Sequence, residues 1–85
     1  MTKRLYDQDS HQTIAQSVVL SCVAAGDQFD VTLDQTVFFP EGGGQPSDTG
    51  TLGGASVLHV REEGGEIYHR VDRALVVGSS VCGEI

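Results

Sequence analysis

The stretch from Asp34 to Gly50, DQTVFFPEGGGQPSDTG, decides how this sequence is interpreted. A β-type apolar run, Val37 to Phe39, leads into three consecutive glycines, Gly42 to Gly44. Glycine loses more conformational freedom on folding than any other residue. Three in a row therefore favour a loop that needs positive φ or brings its backbone close to something else. Pro40 and Pro46 bracket the glycines and restrict the ends of the loop.

The glycine-rich loop, residues 40–47, allows two interpretations from its residue types alone. Gln45 is the first large side chain after the glycines, and its amide both donates and accepts hydrogen bonds, as a binding loop requires. A long glycine-rich hairpin connection without any chemistry fits the spacing equally well. A phosphate-binding P-loop is excluded, because no Lys-Ser or Lys-Thr pair follows the glycines.

The whole stretch resembles the glycine-rich motif of the alanyl-tRNA synthetase editing region and of the free-standing alanyl-tRNA editing proteins, the AlaX family. That motif is similar to Asp-x-Thr-x-Phe-Tyr-Pro-x-Gly-Gly-Gly-Gln-x-x-Asp-x-Gly. Phe39 stands where the family more often has tyrosine. The matching residues are Asp34, Thr36, Phe38, Phe39, Pro40, Gly42, Gly43, Gly44, Gln45, Asp48 and Gly50.

The resemblance implies a role for individual residues. In the family, the threonine at the position of Thr36 recognises the hydroxyl of a mischarged serine. Such a hydroxyl discriminates strongly, because its hydrogen bond is unmade with a substrate that lacks the group. The alternative for Thr36 is a β-branched residue on the solvent face of a strand. The implied substrate-binding residues are Thr36, Gly42, Gly43, Gly44 and Gln45. The implied loop scaffold is Pro40, Asp48 and Gly50, with Asp48 bonding backbone amides at the loop exit.

The resemblance also implies a reaction, the hydrolysis of the aminoacyl ester of tRNA(Ala) mischarged with serine or glycine. In the family, a zinc ion in a following domain positions water and polarises the ester carbonyl. The His-x-x-x-His and Cys-x-x-x-His pairs of that domain do not occur in this sequence. We therefore expect residues 1–85 to be one domain that forms a wall of the editing cleft. It would bind the aminoacylated 3′ end of tRNA within the full-length protein, with no catalytic residue or metal of its own.

Several alternatives stay open at this point. The start of the chain resembles a free-standing editing protein, but a domain of an alanyl-tRNA synthetase, with ATP-dependent aminoacylation, also carries this motif. A non-catalytic tRNA- or protein-binding barrel is the third possibility. A peptide-chain release factor is disfavoured, because its Gly-Gly-Gln sits among basic residues. The end of the chain, Gly78 to Ile85, resembles the family strand that leads into the zinc domain, so we expect a domain of a longer protein.

The histidines and cysteines do not predict a metal site. His11, His59 and His69 lack the four-residue spacing of a helical zinc pair and are expected on the surface or on edge strands. A hairpin centred on Gly64-Gly65 would place His59 opposite Arg70 and His69 opposite Val60, on different faces. The two cysteines, Cys22 and Cys82, are expected to be small buried residues without a disulfide.

The pattern of apolar residues predicts an all-β fold. Short β-branched segments alternate with glycine turns every 8–12 residues, which is typical of a small closed or partly open β-barrel. The resemblance adds a likeness to the second domain of the translation GTPases. One turn of helix within Asp9–Ala15 is compatible with the sequence. The predicted strands are Ile14–Ala25 in a hairpin with Phe29–Leu33, then Val37–Phe39, Thr49–Leu52, Ser56–Arg61, Glu66–Val71, Leu75–Val77 and Ser80–Ile85.

Composition limits the partners. The 85 residues carry a formal net charge of −7, and the five basic residues form no cluster in the sequence. This disfavours a grip on a phosphate backbone by this chain alone, because such affinity comes from lysine and arginine. No stretch approaches the roughly 20 apolar residues of a membrane span. No signal-peptide pattern begins the sequence, so we expect a cytoplasmic protein without a membrane partner.

Overall fold

Short strands make up most of the ordered structure in the computed structural model, which describes residues 2–9 and 11–85. A single 3-10 turn, Leu5–Asp7, follows the first strand. The strands are β1 (Lys3–Arg4), β2 (Ile14–Ala25), β3 (Gln28–Leu33), β4 (Gln35–Thr36), β5 (Gly50–Leu52), β6 (Ala55–Glu63), β7 (Glu66–Val71) and β8 (Ser80–Glu84).

Six of these strands form a closed ring in the order β2-β3-β7-β6-β5-β8, with every pair antiparallel. The ring closes where β8 pairs with β2, from Ile14 opposite Glu84 to Val18 opposite Ser80. Closure removes the free strand edges that an open sheet exposes to aggregation. The predicted all-β, barrel-like fold is confirmed.

Glycine turns set the register of the hairpins. Gly64 and Gly65 have φ of 59° and 84°, as a two-residue turn with positive φ at both central positions requires. The strands on either side then pair His59 with Arg70 and Val60 with His69. The predicted register is therefore confirmed, and so is the hairpin between β2 and β3.

The core lies inside the ring, where alternate residues of each strand meet. In β7, Ile67, His69 and Val71 point inward and are fully buried. Phe38 is the largest buried side chain, and it lies in the segment that follows β4. The other buried apolar residues are Leu5, Val19, Val31, Leu33, Val37, Leu52, Ala55, Val57, Val60 and Val81.

Three predicted elements are corrected by the structure. Val37–Phe39 is not a strand. The strand comes earlier, at Gln35–Thr36, because these residues pair in parallel with β1 and Pro40 has no N–H to continue a ladder. The helical turn is at Leu5–Asp7 rather than within Asp9–Ala15, where Ser10 lies outside the described residues. Leu75–Val77 forms a loop instead of a strand.

Two predictions of burial are also wrong. His69 is fully buried rather than on the surface, because the alternation of β7 turns it inward with its apolar neighbours. Cys82 is exposed, because the inward positions of β8 are Val81 and Gly83. Cys22 is half-buried, and both thiols are free. Among the described residues, no helix is long and apolar enough to cross a membrane.

Candidate functional site

The motif folds into a short hairpin, residues 39–48, which we call the glycine hairpin. At its base, the Asp48 N–H donates to the Phe39 carbonyl at 3.0 Å, and the Phe39 N–H donates to Asp48 Oδ2 at 2.9 Å. At its tip, Gly42 and Gln45 exchange backbone hydrogen bonds of 3.2 and 2.9 Å. Gly43 and Gly44 make the turn with φ of 56° and 83°, a backbone that other residues rarely adopt.

The glycine hairpin is held at the edge of β6 by hydrogen bonds to the backbone of Val60. The Glu41 N–H donates to the Val60 carbonyl at 2.9 Å, and the Val60 N–H donates to Ser47 Oγ at 3.0 Å. The Glu41 carboxylate lies 3.1 Å from His59 Nε2. These contacts hold both arms of the hairpin, so its tip is presented by a fixed base.

Gly42 is the glycine that the fold does not explain. Its φ is not positive, and a Cβ built on it would meet no atom within 4 Å. Gly43 and Gly44 also have open space around them, but their positive φ accounts for glycine there. The absence of a side chain at Gly42 therefore leaves its backbone open to close approach by a ligand.

Two shallow pockets flank the glycine hairpin, with volumes of about 530 Å³ and 600 Å³. Both lie within the range usual for small-molecule sites. Glu41, Gly42 and Gln45 line both of them. Pro46 and Gly44 complete the first pocket, and the second extends to Arg4 and Tyr6 at the start of the chain.

Thr36 lies inside the domain and lines neither pocket. Its side chain is 1% exposed, which rules out the solvent-facing alternative. Its Oγ1 lies 2.8 Å from His69 Nε2 and accepts a hydrogen bond of 3.0 Å from the Phe38 N–H. His69 Nδ1 lies 2.9 Å from the Val31 carbonyl. These contacts form one buried chain of hydrogen bonds between β3, β4 and β7.

The hydrogen-bond partners of His69 define which of its ring nitrogens carries a hydrogen. A carbonyl only accepts, so Nδ1 of His69 carries the hydrogen that Val31 receives. Burial lowers the pKa of His69 to about 4, outweighing the hydrogen bond to Val31, which raises it. The imidazole is therefore neutral near pH 7, and its Nε2 accepts a hydrogen bond from the Thr36 hydroxyl. Direct contact between Thr36 and a substrate stays a prediction.

The basic residues are less scattered than the sequence suggested. Arg61 and Arg70 meet at Asp30 on the outside of the ring, with their nearest nitrogens 3.1 and 2.7 Å from Oδ1. The hydrogen bond from Arg70, helped by Arg61, lowers the pKa of Asp30 to about 2 despite partial burial. Arg61 also lies 4.8 Å above the ring of Tyr68. Both guanidinium groups are thus committed to a carboxylate, which reduces their use for phosphate.

The described residues contain no group of three or more His, Cys, Asp and Glu side chains placed to hold a metal ion. His59 and Glu41 are close, but they form a pair without a third ligand of that kind. Structural zinc sites take four protein ligands and catalytic sites three, so this pair falls short of either.

The model of the family described as tRNA synthetases class II (A) matches residues 4–85. The chain belongs to this family. It is 45% identical over 92 residues to the alanine–tRNA ligase of Natronomonas pharaonis, covering 99% of this chain and 10% of that protein. It is also 45% identical over 90 residues to the alanyl-tRNA editing protein AlaX-M of Methanosarcina barkeri, covering 99% of this chain and 36% of that protein.

A third relative is the alanyl-tRNA editing protein Aarsd1 of Danio rerio, 40% identical over 86 residues, with 87% of this chain and 21% of that protein covered. The resemblance to alanyl-tRNA synthetases and editing proteins is therefore confirmed. The chain spans between about a tenth and a third of the length of these relatives. Ligases and editing proteins thus share this domain as part of larger chains.

Two further residues belong to the site. His69 is buried although the sequence analysis predicts it at the surface, and the alternation of Ile67, His69 and Val71 in β7 is the signal of its inward orientation. Tyr6 carries no such signal, because nothing in the sequence joins it to the motif. It lies against Phe39 only after β1 has paired with β4.

Proposed function

We propose that this domain forms one wall of the cleft in which an aminoacyl-tRNA editing protein hydrolyses mischarged Ser- or Gly-tRNA(Ala) in the cytoplasm. The observation that carries the proposal is the glycine hairpin, whose Gly42 is left open without any requirement from the fold. Gln45 beside it reaches two pockets. The likeness to AlaX-M and Aarsd1, both named as alanyl-tRNA editing proteins, supports the assignment.

In this proposal the domain binds and orients, and residues outside it perform the hydrolysis. A zinc ion held beyond residues 1–85 would activate water and polarise the ester carbonyl. The backbone of Gly42, Gly43 and Gly44 lies against the aminoacylated 3′ end of the tRNA, and Gln45 donates and accepts hydrogen bonds there. Pro40, Asp48 and Gly50 keep the hairpin in place.

Thr36 is proposed to recognise the hydroxyl of the serine. A hydroxyl has one hydrogen and two lone pairs, and Thr36 uses its hydrogen for His69 and one lone pair for the Phe38 N–H. The remaining lone pair can accept a hydrogen bond from a serine hydroxyl. Since Thr36 is buried, the substrate side chain would have to enter beneath the hairpin to reach it.

Phosphate contacts are assigned to other parts of the protein. This chain carries a net charge of −7, and its clustered arginines, Arg61 and Arg70, are paired with Asp30. Binding of tRNA through its phosphates draws on unpaired lysine and arginine side chains. The role proposed for this domain is therefore local, at the 3′ end.

The test is hydrolysis of Ser-tRNA(Ala) and Gly-tRNA(Ala) by the full-length protein. We expect Gly42→Ala and Gln45→Ala to lower kcat/KM at least tenfold without a change in thermal stability. Thr51→Ala, at an exposed position of β5, is the matched control and is expected to keep full activity. Failure of the full-length protein to hydrolyse either substrate would overturn the proposal.

A second function is favoured by the likeness to the alanine–tRNA ligase of Natronomonas pharaonis. In that case the full-length protein would also attach alanine to tRNA(Ala) with ATP. An aminoacylation assay separates the two, because an editing protein alone would release serine without charging alanine. Activity in neither assay would leave the domain as a binding module.

A further inference from the structure

An aromatic pair stands beside the glycine hairpin and has no role in the function proposed above. The rings of Tyr6 and Phe39 have their centroids 4.8 Å apart and are tilted by 59°. Phe39 is 50% exposed, although it is a large apolar side chain next to the fully buried Phe38. Phe39 and Tyr6 thus form an aromatic surface in the wall of the second pocket.

The pairing of β1 with β4 brings Tyr6 and Phe39 together. β1 and β4 pair in parallel, with Lys3 opposite Gln35 and Arg4 opposite Thr36, so the 3-10 turn Leu5–Asp7 lies beside the residues that enter the hairpin. Leu5 is buried and anchors that turn. Phe38 points into the core and Phe39 points out, toward Tyr6.

The backbone of both rings is fixed by the fold. The Phe39 N–H donates to Asp48 Oδ2 at 2.9 Å at the base of the hairpin. Tyr6 follows the buried Leu5 in the 3-10 turn, and Arg4 before it forms an ion pair with Glu62. A rigid aromatic surface loses little conformational entropy when a flat ligand stacks on it.

The surroundings of the pair define the chemistry of its ligand. Tyr6 and Phe39 line the pocket of about 600 Å³ together with Gly42, Gly43 and Gln45. Its carboxylates are Asp7, Glu41 and Glu62, and its cation, Arg4, is already paired with Glu62. A flat ring with polar edges fits such a site, because carboxylates accept hydrogen bonds from amino and hydroxyl groups. A phosphate is disfavoured there by like charge.

We propose that the Tyr6–Phe39 pair is a stacking platform for the last, unpaired base at the 3′ end of the RNA. This rests on the proposed function and adds a subsite to it. Every base has a π face that stacks on an aromatic ring, irrespective of sequence. The terminal nucleoside is the one nucleotide without a 3′ phosphate, which suits an acidic pocket. An aminoacyl group on its ribose then lies toward Gly42 and Gln45, which line the same pocket.

The first test uses nuclear magnetic resonance on the 85-residue chain, with the trinucleotide CCA as the probe. The chain has two tyrosines and no tryptophan, so a Tyr68→Phe background leaves Tyr6 as the single tyrosine signal. We expect CCA to shift the ring signals of Tyr6 and Phe39. A trinucleotide whose last residue lacks its base should bind about tenfold more weakly.

Phe39→Leu keeps apolar bulk but removes the ring, and it should weaken CCA binding about tenfold. Phe39→Tyr, which keeps the ring, should retain binding. Leu58→Ala, at another half-exposed apolar position, is the control and should change nothing. Ring signals that CCA does not move, or equal binding of the baseless trinucleotide, would overturn the inference and leave the pair as a protein contact.

Failure of this inference is distinguishable from failure of the proposed function. In the full-length protein, Phe39→Leu should raise the KM for Ser-tRNA(Ala) with little effect on kcat. If KM is unchanged while Gly42→Ala abolishes hydrolysis, the stacking platform is wrong and the editing function stands. If CCA shifts the rings but no mischarged tRNA is hydrolysed, the platform stands and the editing function is wrong.

Discussion

The hydroxyl of Thr36 and Nε2 of His69 lie 2.8 Å apart in the interior of the ring, although 33 residues separate them in the chain. The contact ties the strand before the glycine hairpin to the centre of β7. Since Val31 and Phe38 satisfy the remaining partners, the motif threonine is held in one orientation from the core outward. Any role of Thr36 at the substrate therefore depends on His69.

Replacing Thr36 with valine should destabilise the domain by roughly 1–3 kcal/mol. The variant keeps the side-chain shape but leaves His69 Nε2 and the Phe38 N–H without their buried partner. Urea denaturation measures the difference in the free energy of unfolding. Thr51→Val, at an exposed position of β5, is the control and should be near neutral. Equal stability of the Thr36→Val variant and the parent protein would show that the buried hydrogen bonds of Thr36 contribute nothing to the free energy of unfolding.

Stability should fall as the pH drops from about 6.5 to about 4. The pKa of His69 is lowered from 6.5 to about 4 by burial, so between these values the unfolded chain binds a proton that the folded chain does not. The free energy of unfolding therefore decreases as acid is added, by about 3 kcal/mol across the window. Denaturation at a series of pH values measures the slope.

His69→Gln should flatten this slope, whereas His11→Gln should preserve it, since exposed His11 takes no part in the buried chain. In the folded protein, the NMR chemical shift of the His69 Cε1 proton should change with a midpoint near pH 4. A midpoint close to 6.5 for that proton would contradict the assignment of a neutral buried imidazole.

A second acid transition should come from Asp30. The hydrogen bond from Arg70 is the largest cause that lowers the pKa of Asp30 from 3.8 to about 2. The contribution of Asp30 to the free energy of unfolding is therefore present above pH 4 and is lost as the pH falls toward 2. Asp30→Asn should cost about 1–2 kcal/mol at pH 7, because Arg61 and Arg70 are left side by side without their carboxylate.

Glu63→Gln is the matched control for Asp30, because the exposed Glu63 also pairs with Arg61. Glu63→Gln should change the free energy of unfolding by close to zero, as for most exposed ion pairs. Comparable effects of the two substitutions would argue against a special role for the Asp30 cluster. Raised salt should weaken the effect of Asp30→Asn only modestly, since Asp30 is partly buried and in direct contact with both guanidinium groups.

Two glycine-to-alanine substitutions should differ sharply in their effect on stability. A Cβ at Gly50 would lie 2.0 Å from the Glu84 carbonyl oxygen, so Gly50→Ala should separate β5 from β8 and cost about 3 kcal/mol or more. Gly42→Ala meets no atom within 4 Å and needs no positive φ, so it should be neutral. Thermal unfolding of both variants tests this. A destabilised Gly42→Ala would show that the fold itself requires that glycine.

Much of the fold could be predicted from the sequence because its signals are local. The Gly64-Gly65 turn fixes the hairpin register, and two-residue turns of this kind leave little freedom. The short elements were harder to predict. β4 is a strand because β1 lies beside it, and a two-residue parallel pair has no periodicity of its own. The prediction of a buried Cys82 is wrong because pairing with β2 and β5 turns the other face of β8, with Val81 and Gly83, toward the core.

The candidate site divides in the same way. The glycine-rich loop, the all-β class and the resemblance to the family could be predicted from the sequence, because the motif and the alternation of apolar residues lie within short stretches of the chain. Three contacts could not be predicted in this way: His69 holds Thr36, Arg61 and Arg70 share Asp30, and Tyr6 lies against Phe39. Each of these contacts joins residues about 30 or more positions apart, and only the pairing of strands distant in the sequence brings them together.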